Sequence, residues 1–523
     1  MGQKNGTKNF IIHGGILAMA GILVRIIGLL YRIPMVNIIT SEGNGVYGAA
    51  FNVYNIILVM SSYGLPMAVS KLISARVSVK QYKNAHKVFV AALVVSLVSG
   101  GIAALLMFFG ADFLEQNFYT SYSGIAIPLK VLSPTIFIVA VLGVFRGFYQ
   151  GQGTMIPTAI SQILEQIVNA IVSVFAAYML VKIYAGSVDV GAYGAAGGTL
   201  GTAMGALAAL IFVIFLYVIY RPTFMKKLHK DVSDVDEEYT NIYKIIGLTM
   251  LPIILGQTFY QISAVIDDVM FGKIMGSIGV SKSIIKNSMG NYNSSFIILI
   301  SLPMGVASAM SASMLPSIVA SKAKHLYSEI TTKVQATVKA NMLIAIPSAV
   351  GLIVLGKSII QAIFPSYNST DGSMMLKIGA FAVVFYTLST VTSSALQGID
   401  KMNIPVINSC ISLIVHIILV WGLLKFTNLG IYAIVIGSET FPIIIMILNL
   451  VALYKYVGYK QELLITFGIP LICSIIMGIA SGLTYRLLML LCGINIVSLL
   501  FAGAAAAAGY FLPIILFKKK GIY

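Results

Sequence analysis

The chain is short of charge. Asp, Glu, Lys and Arg make up 10% of its 523 residues, against about 25% in soluble domains, which excludes an ordinary soluble globular fold. Acids are scarcer than bases, 17 against 34, so the formal net charge is +17. The bases sit mainly in alternate short loops between apolar runs, the distribution of the positive-inside rule, so no nucleic-acid partner is expected. There are three cysteines, Cys410, Cys473 and Cys492. All fall in apolar helical stretches without CxxC spacing or a neighbouring histidine, which leaves neither a disulfide framework nor a zinc site. No HExxH occurs, nor a G-x-S-x-G serine elbow in a soluble setting. GLIVLGKS (351–358) has the letters of a P-loop, but four branched apolar residues inside a hydrophobic run do not wrap phosphate. No enzyme, metal or cofactor is therefore expected. Strand-period alternation is rare, which excludes an outer-membrane barrel.

What is abundant is apolar: 58% of residues are hydrophobic and the mean hydropathy is +0.94. Runs long enough to cross a bilayer recur along the whole chain. They predict an all-α polytopic membrane protein with fourteen spans, at about 10–36, 46–70, 88–110, 124–148, 156–181, 196–220, 243–268, 292–318, 340–364, 376–398, 403–426, 428–454, 463–488 and 494–516. Lys71, Arg76, Lys80, Lys83 and Lys87 follow the second span, Arg221, Lys226, Lys227 and Lys230 the sixth, and Lys518, Lys519 and Lys520 the last. This bias puts both termini on the cytoplasmic side. Met1 to Asn9, with Lys4 and Lys8, resembles the start of a signal peptide, but the apolar stretch behind it is too long for one. It reads as an uncleaved first span.

The sequence repeats at half length. In FYQGQGTMIP (148–157) and ALQGIDKMNIP (395–405), Gln150-Gly151 matches Gln397-Gly398 and Met155 matches Met402, 247 residues on, with the prolines one residue out of step. YGLPMAVSK (63–71) has a counterpart in SMLPSIVASK (313–322), about 250 on. Equivalent spans six apart imply two parallel six-helix lobes related by an axis along the membrane normal, rocking around a site at mid-membrane, with the last two spans as an appendix. The expected organisation is an N-lobe (1–220), a linker (221–242) whose mixed charge reads as solvated and cytoplasmic, a C-lobe (243–454), and the last two spans with a basic cytoplasmic tail (455–523).

Two arginines interrupt the first span, Arg25 and Arg32 in GILVRIIGLLYRIPMV (21–36). A guanidinium in hydrocarbon costs roughly 2.5–3.5 kcal/mol even on a lenient insertion scale. Seven residues are about two turns, so the pair shares one face within roughly 20° and lies about 10 Å apart, Arg25 near mid-span and Arg32 toward the outer end. A diphosphate would need such planar, permanently charged, multi-donor partners. The alternatives are that internal carboxylates or carbonyls hold them, or that Arg32 snorkels outward. The mid-span carboxylates Glu165 and Glu439 could pair with an arginine or carry a coupling proton or Na+. His416 could relay protons or simply pack. Asp267 is a further coupling or ion-pair candidate, although with Asp268 it reads as a solvated helix end near the outer face. Arg146, near the cytoplasmic end of the fourth span, would face inner-leaflet phosphates or the mouth of a cavity.

The six-plus-six arrangement with its two-span appendix, the arginine-bearing first span and RGFYQGQGTMIPTAISQILEQ (146–166) together resemble one family. It is the polysaccharide-biosynthesis, stage V sporulation protein B-like branch of the MOP (multidrug/oligosaccharidyl-lipid/polysaccharide) exporter superfamily. MurJ-like members flip lipid II, the undecaprenyl-diphosphate-linked peptidoglycan precursor. In them arginines on the first helix line a cationic central cavity, and the last two helices form a groove toward the lipid. The resemblance implies a flippase in a bacterial plasma membrane, with the diphosphate held by Arg25 and assisted by Arg32, and Arg146 as a further substrate-binding residue. Its expected partners are a lipid-linked oligosaccharide, membrane lipids and cell-wall synthesis proteins, with the chain a monomer and a proton, Na+ or the membrane potential as driving force. This chain departs from MurJ-like proteins in spacing its arginine pair by seven residues rather than the usual six. It also has no charge in GVYGAAFNVYNIILVMSSYG (45–64), and has Gln257, Gln261 and Asp267 in LPIILGQTFYQISAVIDDVM (251–270) where an arginine is expected. The cationic cavity is thinner for it. The alternatives are a flippase for a capsule, teichoic or spore-wall precursor, and a MATE-type drug/cation antiporter relying on Glu165 or Glu439.

Overall fold

The computed structural model describes residues 2–231 and 236–519, with side chains from Ala20 onward apart from 22, 252, 253, 260, 312, 316 and 323. The side chains of Lys4, Lys8 and Pro316, residues 232–235 of the linker, and Lys520 lie outside the described residues. Every predicted span falls on a helix, and among the described residues there is no strand. The protein is an all-α multi-pass membrane protein. Its contacts divide it into two compact units, up to Lys273 and from Ile274 onward.

The first unit opens with α1 (Gly2–Ser62), two helices that meet at Thr40, whose φ of 64° and ψ of 176° are non-helical and costly for a β-branched residue. α2 (Leu65–Ser78) follows after Tyr63-Gly64, with Pro66 in its first turn, where a missing N–H is harmless. The second predicted span is therefore divided between two helices. α3 (Tyr82–Asn117), α4 (Ala126–Gly151), α5 (Ile156–Ile183), α6 (Val190–His229) and α7 (Tyr239–Ser277) complete this part of the chain. In the second unit α8 (Lys282–Asn291) continues through a π-helical stretch, Tyr292–Ile298, into α9 (Leu299–Ala323). Then come α10 (Tyr327–Ile363), α11 (Ser369–Gly379), α12 (Ala382–Gly398), α13 (Asn403–Phe426), α14 (Ile431–Val457), α15 (Ile469–Cys492) and α16 (Asn495–Lys519).

Among the described residues, twelve helices are long and apolar enough to cross a membrane, thirteen with α11 and α12, bent by 47°, taken as one span. Leu23–Ser78 counts once among them, yet its 56 residues would measure about 84 Å as helix against a hydrocarbon core of about 30 Å. Divided at Thr40 it supplies the first two predicted spans, and the total returns to fourteen.

The repeat is visible in backbone detail. After α4, Gly153 takes φ +85°, its N–H donates to Gln150 O at 2.9 Å, and Thr154 N–H donates to Tyr149 O at 3.2 Å. After α12, 247 residues on, Asp400 takes φ 58°, its N–H donates to Gln397 O at 3.1 Å, and Lys401 N–H donates to Leu396 O at 2.9 Å. The ends of α2 and α9 match likewise, with left-handed Lys80 (φ 64°) and His325 (φ 56°) beside Gln81 N–H to Arg76 O (2.9 Å) and Leu326 N–H to Ser321 O (3.0 Å). Left-handed caps of this kind satisfy the last carbonyls of a helix. Three of the four use a residue other than glycine, so the turn persists even where a side chain must tolerate positive φ.

Two packing features position the site. Gly197, Gly201 and Gly205 let α6 lie directly on α5: added Cβ atoms would meet Ala177 N, Ser173 N and Glu165 O, each at 2.5 Å. Small residues four apart are how membrane helices approach closely, and here they fix α5 at the height of Glu165. The second feature corrects the linker. α6 runs to His229, and of the described acids beyond it Asp231 and Glu237 are docked rather than solvated. Asp231 is 6% exposed and accepts from Lys83 N–H at 2.8 Å. Glu237 grips Arg76 with both oxygens, and Lys87 Nζ donates to Asp236 and to Glu237 O. Asp231 and Glu237 are thus matched by the basic α2–α3 end and leave water, while Asp236 pairs with Lys87 at the surface.

In the second unit, α15 and α16 pair and pack on α10, burying Ile469, Cys473, Met477 and Tyr510. Tyr510 O–H donates to Leu343 O at 2.8 Å. Exposed Ile475, Ile479 and Leu483 on α15, with Phe511 and Leu512 on α16, form an apolar face suited to hydrocarbon.

Candidate functional site

Five of the six arginines precede Lys273, and four of them form a graded series. Arg76 is fully engaged: Nε and Nη2 donate to Glu237, and Nη1 to Leu72 O at 2.9 Å. Arg146 on α4 is partly engaged, with Nε to Ser161 Oγ at 2.9 Å and Nη2 to Glu165 Oε2 at 2.7 Å, both on α5. Arg32 is half-buried, its guanidinium 6.0 Å from the centroid of the Tyr47 ring, within cation–π reach. Arg25 is exposed, and among the described residues no hydrogen bond, ion pair or ring contact involves it.

α5 brings these groups together. Glu165, Asn169 and Ser173 are spaced by four and make one polar stripe. Asn169 is bonded to Tyr31 of α1 at 3.1 Å, and Ser173 to Asn169 and to Gly198 O of α6 at 2.7 and 2.8 Å. Gln166, next to Glu165, has its Oε1 3.8 Å from where a Cβ on Gly28 would lie. Gly28 is three residues from Arg25, about 4.5 Å along the helix, so the Arg146–Glu165 pair and Arg25 sit at similar height in one unit. Tyr54, buried on the 41–62 limb of α1, lies within the field of Glu165.

The remaining candidates separate from this cluster. Asp267 and Asp268 are 7% and 1% exposed and do not form a solvated helix end. The apolar stretch behind them continues α7 to Ser277. Asn52 Nδ2 donates to Asp268 Oδ2 at 2.8 Å, and the α3–α4 loop holds the backbone there through Tyr122 O–H to Asp268 O (3.3 Å) and Ser121 Oγ to Gly272 O (2.8 Å). Burial, with the Asp268 carboxylate nearby, pushes the Tyr122 hydroxyl up, so it stays a donor. Glu439 on α14 is half-buried, and its Oε1 is buried without a partner among the described residues. His416 is 1% exposed, lies 3.0 Å from Gly437 O and meets Phe441 edge-on, the geometry of a packing residue. Cys410, Cys473 and Cys492 are unpaired. GLIVLGKS lies inside α10, so its amides are taken up by the helix and cannot cradle phosphate. Sequence reasoning missed Tyr47, Asn52, Ser161 and Asn169. The spacing by four of Glu165, Asn169 and Ser173 on α5 was the available signal for Asn169.

Residues 12–322 match the family described as polysaccharide biosynthesis protein. The chain belongs to that family. Residues 252–421 also match the MatE family. Among curated relatives, this family member is 24% identical over 493 residues to the lipid II flippase MurJ of Bacillus subtilis (strain 168), covering 89% of this chain and 86% of that one. It is 22% identical over 466 residues to stage V sporulation protein B of the same organism, covering 88% and 87%. Its fold is that of the solved lipid II flippase MurJ in an inward closed conformation, with TM-score 0.70 at 16% identity over 97% of this chain and 99% of that one.

Proposed function

We propose that the protein is a transporter that flips a polyprenyl-diphosphate-linked oligosaccharide from the inner to the outer leaflet of a bacterial plasma membrane, with lipid II as its substrate. The observation that carries this reading is Arg25, a permanent cation in an apolar span with no bonded partner among the described residues. A bare guanidinium there opposes packing, whereas a diphosphate satisfies it with charge-assisted, bidentate hydrogen bonds. Arg146, at similar height, meets the headgroup beside Arg25, and Arg32, about two turns along α1, receives it further out. The polyprenyl tail stays in the bilayer, along α15 and α16, while access alternates. Both termini are cytoplasmic in this reading, and a proton or Na+ gradient or the membrane potential drives the cycle. Similarity over most of the chain to a protein named as a lipid II flippase supports a lipid-linked glycan as cargo.

The MatE match over 252–421 and the partnerless Oε1 of Glu439 favour a second reading, a drug/cation antiporter working through that carboxylate. Native mass spectrometry of the purified protein with lipid II, undecaprenyl phosphate and a cationic dye separates the two. The flippase reading predicts selective lipid II binding that Arg25→Ala weakens at least about tenfold. Dye binding that survives Arg25→Ala, with no lipid II bound, overturns it. Selective binding of a different polyprenyl-diphosphate glycan keeps the flippase and replaces its substrate.

A further inference from the structure

Arg76 and Arg146 both have carboxylate partners, but the two pairs are built differently. Glu237 takes Arg76 with both oxygens, and the last nitrogen of Arg76 is bonded to Leu72 O. Arg146 gives Glu165 one nitrogen and Ser161 another, so its Nη1 has no partner among the described residues. The Arg146 and Glu165 side chains keep 14% and 21% exposure, enough for a competing ligand to reach them. From α6 the backbone at Gly205 approaches the Glu165 carbonyl oxygen, and Tyr54 of α1 lies within the field of its carboxylate. Among the described residues one guanidinium of this layer, Arg25, has no partner, and the other, Arg146, is covered by a carboxylate.

We propose that Glu165 is a placeholder anion: it occupies Arg146 while the site is empty and yields the guanidinium to a phosphate of the incoming polyprenyl diphosphate. This rests on the flippase reading above. The exchange involves hydrogen bonds alone. A phosphate oxygen replaces Glu165 Oε2 on Nη2, a second oxygen takes Nη1, and Ser161 keeps Nε, so the guanidinium stays oriented throughout. The placeholder spares the empty site a second uncompensated cation among apolar helices. It also limits affinity, because the displaced carboxylate repels the bound diphosphate and helps it leave. Binding that is stronger in every state slows turnover rather than speeding it. A pair with a purely structural purpose would be saturated, as Arg76–Glu237 is.

The test is the lipid II dissociation constant of the full-length protein, with flipping rates in proteoliposomes and melting temperatures, for wild type, Glu165→Gln, Glu165→Asp, Arg146→Gln and Arg25→Ala. Glu165→Gln is expected to bind lipid II about tenfold more tightly and to flip it more slowly, while Arg146→Gln binds more weakly. A folded Glu165→Gln that binds equally or less well overturns the placeholder. If Glu165→Gln does not fold, Glu165→Asp, which keeps the charge but retracts it by one methylene, carries the test: it should bind more tightly than wild type, and weaker or equal binding overturns the proposal. Wild type that does not bind lipid II, or binding that survives Arg25→Ala, sinks the flippase reading itself. Binding that depends on Arg25 but ignores residue 165 sinks only the placeholder.

Discussion

The two units repeat the same helices but fill their polar layers with different chemistry. At the 247-residue offset, Arg146 corresponds to Ser393, Ser161 to Asn408 and Glu165 to Ser412. In the second unit Asn408 Nδ2 donates to Asn449 Oδ1 at 2.8 Å, and Asn449 Nδ2 to Thr392 Oγ1 and Ser393 Oγ at 3.2 and 2.9 Å. Ser412 Oγ donates to Phe441 O at 2.6 Å. That layer is neutral and internally bonded, the kind of network that holds membrane helices together. Among the described residues the first unit's layer is charged and incompletely bonded: Arg25 has no partner, and Arg146 leaves Nη1 unused. A bonded neutral layer is complete without a ligand. An incompletely bonded cationic one is complete only with an anion, which assigns adhesion to the second layer and recognition to the first.

Stability measurements can break this comparison at its two saturated sites. The larger effect belongs to Arg76. Arg76→Met leaves Glu237 without its cation and should cost about 2 kcal/mol, read as a fall in melting temperature, with part of it recovered in Arg76→Met/Glu237→Gln. An unchanged melting temperature would show that saturation does not mark a structural arginine. A smaller loss is expected from Asn449→Leu, about 1 kcal/mol, because hydrogen bonds between membrane helices average roughly 0.6 kcal/mol each. Lipid II affinity should stay within about twofold of wild type. A large loss of affinity with an unchanged melting temperature would give the second layer a role in recognition.

Most of the fold was legible in the sequence because each span is an apolar run, and the QG turns announced the repeat before any backbone angle was known. The break at Thr40 was not legible, since nothing in NIITSEGNG marks which residue takes the strained conformation. The end of α7 was set too early because Asp267 and Asp268 resemble a terminus, while VMFGKIMGS behind them continues the helix. At the site, Arg25, Arg32, Arg146 and Glu165 could be named from sequence, and so could the chance of an internal ion pair. Which arginine Glu165 meets depended on the hairpin between α4 and α5. Gly153 closes that turn, which sets Arg146 opposite both Ser161 and Glu165, one helical turn apart on α5. The docked linker was hidden for the opposite reason: its acids find partners about 150 residues away, at Arg76, Lys83 and Lys87.

The measurement that bears most directly on the account is lipid II flipping by purified protein in proteoliposomes, followed by accessibility of the headgroup from outside, with Arg25→Ala and Asn449→Leu run side by side. The account predicts that Arg25→Ala slows flipping at least about a hundredfold, equivalent to roughly 2.7 kcal/mol, while its melting temperature is unchanged and Asn449→Leu still flips. Flipping that persists in Arg25→Ala at the wild-type rate would contradict it, because the bare cation of the first unit would then have no part in moving the anion.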